Sequence, residues 1–273
     1  MMVTKNKLVT KNKLILLLAL VLVVAGGVTY MFQTIQVFGD NGNKKVIEDP
    51  AFTNIEVLTN NADVEIVPTK SAEATVGYTG ASKKAKFTFD VDVKRDTLFV
   101  QLKEKRRFLF WFGFHTKDLK LTVSLPEKQY EHIQVESDNG RIHAEDIIAE
   151  QLTLESDNGQ ISLDKVEIEL ADVETDNGAV ILDHVKGEVK AGLDNGRVTV
   201  ITENLNDWPL DLETDNGSIE IKTETEPTNA TIEAETDNGK ISIFGNENKL
   251  TTYGKGKNSI ELRTDNGRIT VTK

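Results

Sequence analysis

The sequence predicts an all-β fold: a parallel β-solenoid, β-helix-like, of about 19–22-residue coils with a small β-sheet cap region, preceded by one transmembrane helix. Three observations carry this: a tripeptide that recurs at nearly constant spacing, period-two alternation on both sides of it, and a long uncharged stretch near the N-terminus.

The tripeptide is Asp-Asn-Gly. Its copies begin at Asp138, Asp157, Asp176, Asp194, Asp215, Asp237 and Asp265, with successive spacings of 19, 19, 18, 21, 22 and 28 residues. The turn positions are therefore Asn139-Gly140, Asn158-Gly159, Asn177-Gly178, Asn195-Gly196, Asn216-Gly217, Asn238-Gly239 and Asn266-Gly267. A further copy at Asp40 lacks the flanking pattern and is assigned to linker.

Two residues after each Gly stand Ile142, Ile161, Val180, Val198, Ile219, Ile241 and Ile269, all β-branched. Three residues before each Asp stand Val135, Leu154, Val173, Ala191, Leu212, Ala234 and Leu262. Such alternation marks strands with one buried face, and Asn-Gly is expected to supply positive φ at the turn. A degenerate copy without Gly lies at Ile55 to Ile66, around Asn60-Asn61-Ala62. A hairpin meander would also use Asn-Gly turns. The near-constant early spacing, and a third apolar position at Ile147, Val166 and Val185, favour a solenoid in which each repeat is one coil and equivalent residues stack. Runs at Lys86 to Lys94, Leu98 to Leu102 and Leu119 to Leu125 are expected to form a sheet capping the first coil.

From Leu14 to Gly39 no side chain is charged, whereas roughly 20 apolar residues suffice to cross a bilayer core. Lys5, Lys7, Lys11 and Lys13 precede this stretch and Asp40 follows it. The positive-inside tendency then places the tail in the cytoplasm and the C-terminal part outside, as a single-pass cell-membrane protein. A signal peptide cleaved near Ala25 to Gly27 is the rival reading. The expected organisation is a basic tail over 1–13, an anchor over 14–36 and a linker over 37–50. An N-terminal β region follows over 51–130, and the repeat solenoid over 131–273.

The chain has 44 acidic and 32 basic side chains, a net charge of −12, and no cysteine. Nucleic acid is thereby a poor partner; cationic peptides or envelope proteins are better ones. Disulfides, thiolate nucleophiles and Cys-ligated zinc are excluded. The histidines His115, His132, His143 and His184 have no metal-pair spacing, and no catalytic or cofactor motif is present. No catalytic residue, no metal and no cofactor is therefore expected.

Two features invite a binding role. In the repeat column, the Asn side chains are expected to stack as a ladder while Asp points to water; calcium held by the Asp column and by Glu136, Glu155, Glu174, Glu213 and Glu235 is the alternative. The second feature is a basic-aromatic run, Lys103 to His115. Within it Arg106, Arg107, Phe108, Phe110, Trp111 and Phe112 are candidates for membrane or partner contact, and plugging the solenoid end is the competing role.

The Glu-Ser/Thr-Asp-Asn-Gly repeats, with the stretch LKLTVSLPEKQY from Leu119 to Tyr130, resemble a bacterial family of unknown function labelled adhesins. Its LiaG-like, membrane-anchored relatives are associated with cell-envelope stress systems. The resemblance covers roughly Pro50 to Lys273 and implies a non-enzymatic adhesion, envelope-stress or scaffold role. A calcium-stabilised surface protein is the alternative, and a polysaccharide-active enzyme a more distant one. The Gly192-Leu193-Asp194 copy and Arg263, where the other copies carry Glu, depart from the pattern.

Overall fold

β-Branched and leucine residues at every second position drive the backbone into long strands that bury one face. The computed structural model describes residues 37–38, 43–48, 50–80, 87–104 and 119–273, all within the unit Ile35–Lys273. Among the described residues there are seventeen strands: β1 Val37–Phe38, β2 Lys44–Ile47, β3 Asn54–Thr59, β4 Asp63–Thr69, β5 Ala74–Thr79, β6 Phe87–Lys94, β7 Thr97–Glu104, β8 Lys120–Pro126 and β9 Gln129–Asn139. They continue with β10 Ile142–Glu145, β11 Ile148–Asp164, β12 Glu167–Asp183, β13 Lys186–Thr202, β14 Leu210–Thr223, β15 Ala230–Ile243, β16 Leu250–Thr252 and β17 Asn258–Thr272.

The repeats pair in parallel and in register, Asn on Asn and Gly on Gly, as stacked solenoid coils. Each level supplies the same core positions. One column runs Val100, Val57, Val135, Leu154, Val173, Ala191, Leu212, Leu262 and Ala234, every member buried. Burying one such leucine or valine contributes about 1.5–3 kcal/mol, so the stack is held chiefly by these columns.

The levels do not follow chain order. β17 lies between β14 and β15, pairing Ile260 with Leu210 on one side and with Ile232 on the other. The chain passes over one level to lay down β15, turns back through β16 antiparallel to it, and fills the vacated level with β17. At the other end β3 and β4 sit between the β7/β8 level and the β9/β10 level. Equivalent residues of the repeats thus stack, but at neither end do the levels follow chain order. The physical gain is clear for β17: a terminal strand hydrogen-bonded on both sides cannot fray as an edge strand would.

The side chain of Asn258 anchors the start of β17. Its Nδ2 donates to the carbonyls of Leu205 (2.9 Å) and Trp208 (2.8 Å), in the loop that precedes β14. β16 and an edge-to-face pair of Phe244 and Tyr253, centroids 6.0 Å apart, cover part of the last level.

The expected transmembrane helix is corrected. No described residue is helical, and no helix among the described residues is long and apolar enough to cross a membrane. Residues 14–36 lie outside the described residues. The anchor, the single-pass topology, the membrane as partner and the cell-membrane location are accordingly set aside.

The expected turn chemistry is corrected as well. No Asn of the repeat has positive φ, and only Gly140 and Gly196 of the seven repeat glycines do. The left-handed residues sit instead at the opposite corner of the coil, at Asp146, Lys165 and His184, with φ of 51°, 51° and 52°. The glycines are required by close approach. A Cβ on Gly178 would fall on the carbonyl oxygen of Gly159, far inside van der Waals contact, and each of the other six would meet a neighbouring backbone carbonyl in the same way.

Candidate functional site: the Asp-Asn-Gly corner and its acidic flank

In-register stacking converts a sequence repeat into columns one strand spacing apart, about 4.8 Å. At the corner, the Asn side chains form a continuous amide ladder. Nδ2 of Asn139 donates to Oδ1 of Asn61 at 3.1 Å, Asn158 to Asn139 at 3.1 Å and Asn177 to Asn158 at 3.2 Å. Asn195 donates to Asn177 at 3.0 Å, Asn216 to Asn195 at 3.3 Å, Asn266 to Asn216 at 3.0 Å and Asn238 to Asn266 at 3.1 Å. The ladder follows the spatial order of levels, so the exchange of β15 and β17 is written in it.

Just inside the ladder runs a second column of hydroxyls. Thr59, Ser137, Ser156, Thr175, Thr214 and Thr264 are buried beside the glycines. Several of their oxygens lack a hydrogen-bond partner, including Ser156 Oγ and Thr175 Oγ1.

Outside the corner the Asp residues face solvent or lie half-exposed. On the preceding strand face the residues two before each Asp stack as Leu58, Glu136, Glu155, Glu174, Gly192, Glu213, Arg263 and Glu235. Like charges directly opposite on neighbouring strands repel. The two departures from the repeat relieve this: Gly192 leaves a gap between Glu174 and Glu213, and Arg263 falls between Glu213 and Glu235. Arg263 also donates to Asp211 Oδ1 at 3.0 Å and to Glu261 Oε2. One column over, Lys190 sits between Asp172 and Asp211.

Partial desolvation raises three carboxyls of this face, although Glu136 and Asp172 remain exposed. It pushes the Glu136 carboxyl up, opposed by Lys103 and reinforced by Asp138, Glu56 and Asp157. Burial likewise raises Glu56 against Lys94, and Asp172 against Lys190. Each then binds its proton more readily folded than unfolded. Their effect on stability is favourable once pH falls below the unfolded values, and it is lost as pH rises through the raised folded values. His132, hydrogen-bonded to Thr153 Oγ1 at 3.1 Å, is pushed down by burial. Its contribution runs the other way: present above its ordinary 6.5 and lost as pH falls through the depressed value. Glu136→Gln is expected to raise the melting temperature at neutral pH by a few degrees at most. It should also flatten the rise in stability on mild acidification, as read by thermal melts across a pH series.

Among the described residues, no group of three or more His, Asp or Glu side chains is placed to hold a metal ion. An apolar recess lined by Leu182, Val189, Leu205, Trp208 and Leu210 holds about 20 Å³, room for one water molecule at most. Arg106, Arg107, Phe108, Phe110, Trp111 and Phe112 lie outside the described residues.

The sequence pattern of the Toastrack family, DUF4097, matches residues 52–169 and 131–272, together spanning nearly all of the repeat region. The chain belongs to the Toastrack DUF4097 family. The match is to a structural β domain, in keeping with a non-catalytic protein. None of the curated proteins matches this Toastrack chain. Solved structures similar to it include a protein named for cell adhesion from Clostridium sporogenes, at 15% identity over 87% of this chain and 99% of that one, TM-score 0.41. One from Bacteroides fragilis named as an adhesin is 14% identical over 86% and 97%, TM-score 0.44. One from Parabacteroides distasonis named for lipid binding is 13% identical over 85% and 98%, TM-score 0.39. The varied names of these Toastrack-like structures assign no ligand to this one.

Sequence reasoning located the acidic column and the Asn ladder but not the order of its rungs. The signal for the order was Arg263, a lone cation in a column of glutamates, together with the spacing of 28 before the last copy.

Proposed function

We propose that this domain is a rigid, non-catalytic binding scaffold of the adhesin type, presenting a repeated acidic surface to cationic peptides or to basic surfaces of envelope proteins. The observation that supports it is the in-register column of carboxylates beside the Asn ladder, with Asp157, Asp176 and Asp194 exposed or half-exposed on adjacent levels. Such a surface acts through summed charge and not through one residue.

A decalysine peptide titrated calorimetrically against the full chain is the direct probe. Affinity should fall by at least about tenfold, or about 1.4 kcal/mol, between low and physiological salt, where the screening length shortens to about 8 Å. Asp157→Asn alone should weaken binding slightly, and D157N/D176N/D194N together should weaken it progressively. Affinity unchanged by salt, or abolished by one substitution, would refute the scaffold reading.

A further inference from the structure

Asn-Gly is the peptide step most open to attack of a backbone nitrogen on the preceding side chain, because glycine has no Cβ to shield that nitrogen. Seven such steps stand in one column of this fold, and their surroundings differ in one respect.

Six are held from both sides. Each inner Asn both donates to one neighbouring amide and accepts from another, as Asn177 does between Asn158 and Asn195. Each inner glycine has a neighbouring Gly packed against its own carbonyl. Asn238-Gly239, on the last level, is held from one side only. Asn238 donates to Asn266, but among the described residues no amide donates to its Oδ1. Gly239 packs on the Gly267 carbonyl with no glycine against its own, and it is the only exposed glycine of the seven. β16 covers β15 over Thr231 to Glu233 and stops short of this corner.

We infer that Asn238 is a site of spontaneous self-modification, and that the ladder protects the six inner asparagines from the same reaction. The Gly239 backbone nitrogen attacks Asn238 Cγ and closes a succinimide. The Cγ–Nδ2 bond breaks, and ammonia leaves with the proton that the backbone nitrogen gives up. Water then opens the ring at either carbonyl, giving aspartate or isoaspartate. An inner Asn must break two ladder hydrogen bonds and part its glycine from neighbours on both sides to reach the attack geometry, whereas Asn238 breaks one bond and Gly239 is packed on one side only. The product carboxylate faces Asn266 Oδ1, acceptor against acceptor, beside Asp237. Conversion therefore loosens the last level and adds one negative charge to it.

The test is peptide mapping by mass spectrometry of the folded full chain during prolonged incubation at neutral pH. The gain of one mass unit should accumulate at Asn238 at least about ten times faster than at any of the six inner steps, a difference of about 1.4 kcal/mol in activation free energy. Chain unfolded in denaturant should convert at comparable rates at all seven. Equal rates in the folded protein, or a faster inner step, would overturn the assignment. Asn266→Ser, checked for folding by circular dichroism, removes the acceptor of Asn238 and should speed its conversion. An unchanged rate at Asn238 in that variant would overturn the ladder as the protecting element.

Discussion

Gly178→Ala is expected to destabilise the domain by at least about 3 kcal/mol, which for a domain of this size is a fall of roughly 6–12 °C in melting temperature. The added methyl would occupy the position of the Gly159 carbonyl oxygen, and the nearest atoms are backbone on an adjacent level, so no side-chain rotation relieves it. The two levels would have to separate, opening the Asn177–Asn158 bond between them. Gly192→Ala is the matched control. It lies in the same coil region, yet an added Cβ meets nothing within 4 Å. Its expected effect is within about 0.5 kcal/mol, and toward stability, because alanine restricts the unfolded chain. Denaturant titration of the two variants separates close backbone approach from turn conformation as the reason for the repeat glycines. Equal effects would mean the stacking distance is not what selects them.

Arg263→Glu is the second large effect expected, about 2 kcal/mol of destabilisation at low salt. The substitution removes the ion pairs to Asp211 and Glu261 and places a carboxylate directly between Glu213 and Glu235. The Arg263 side chain is 38% exposed, so the penalty should shrink as salt is added. The double variant R263E/E213R restores one attractive neighbour and should recover part of the loss. If β17 instead lay beyond β15, at the end of the stack, Glu213 and residue 263 would be two levels apart, and E213R would have the same effect with Arg or Glu at 263, with no coupling between the two positions.

Much of this was legible in the residues. Period-two alternation on either side of each Asp-Asn-Gly specifies strands with a buried face, and Ile161, Val180 and Val198 stack as that pattern requires. The degenerate copy at Asn60-Asn61 holds the first rung of the ladder. Other features were not legible, for physical reasons. In a parallel stack of near-identical repeats every level presents a buried apolar residue at the same position, as Leu212, Leu262 and Ala234 do, so the hydrophobic pattern does not specify the order of levels. The contacts specific to this order come from residues that depart from the repeat pattern, among them Arg263, Asn258 and the β16 turn. The role of the glycines was misassigned because Asn-Gly favours positive φ in isolation, whereas here the constraint comes from the neighbouring coil. The hydrophobic N-terminal stretch was read from composition alone, and no structural element among the described residues corresponds to it.

The exchanged order of the last two coils is tested most directly by engineered disulfides, for which the absence of cysteine from the chain is a ready background. Glu220 and Thr270 are register partners on adjacent levels. Glu220 and Ser242 are each one level from Thr270, on opposite sides of it. Parallel neighbours lie about 4.8 Å apart and residues two levels apart about 9.6 Å, against an upper limit of about 7 Å between Cα atoms for a disulfide. Under mild oxidation E220C/T270C should form an intramolecular disulfide in the folded protein, and E220C/S242C should remain reduced. Ready closure of the 220–242 pair, with the 220–270 pair left open, would mean that the coils stack in chain order and would contradict the fold described.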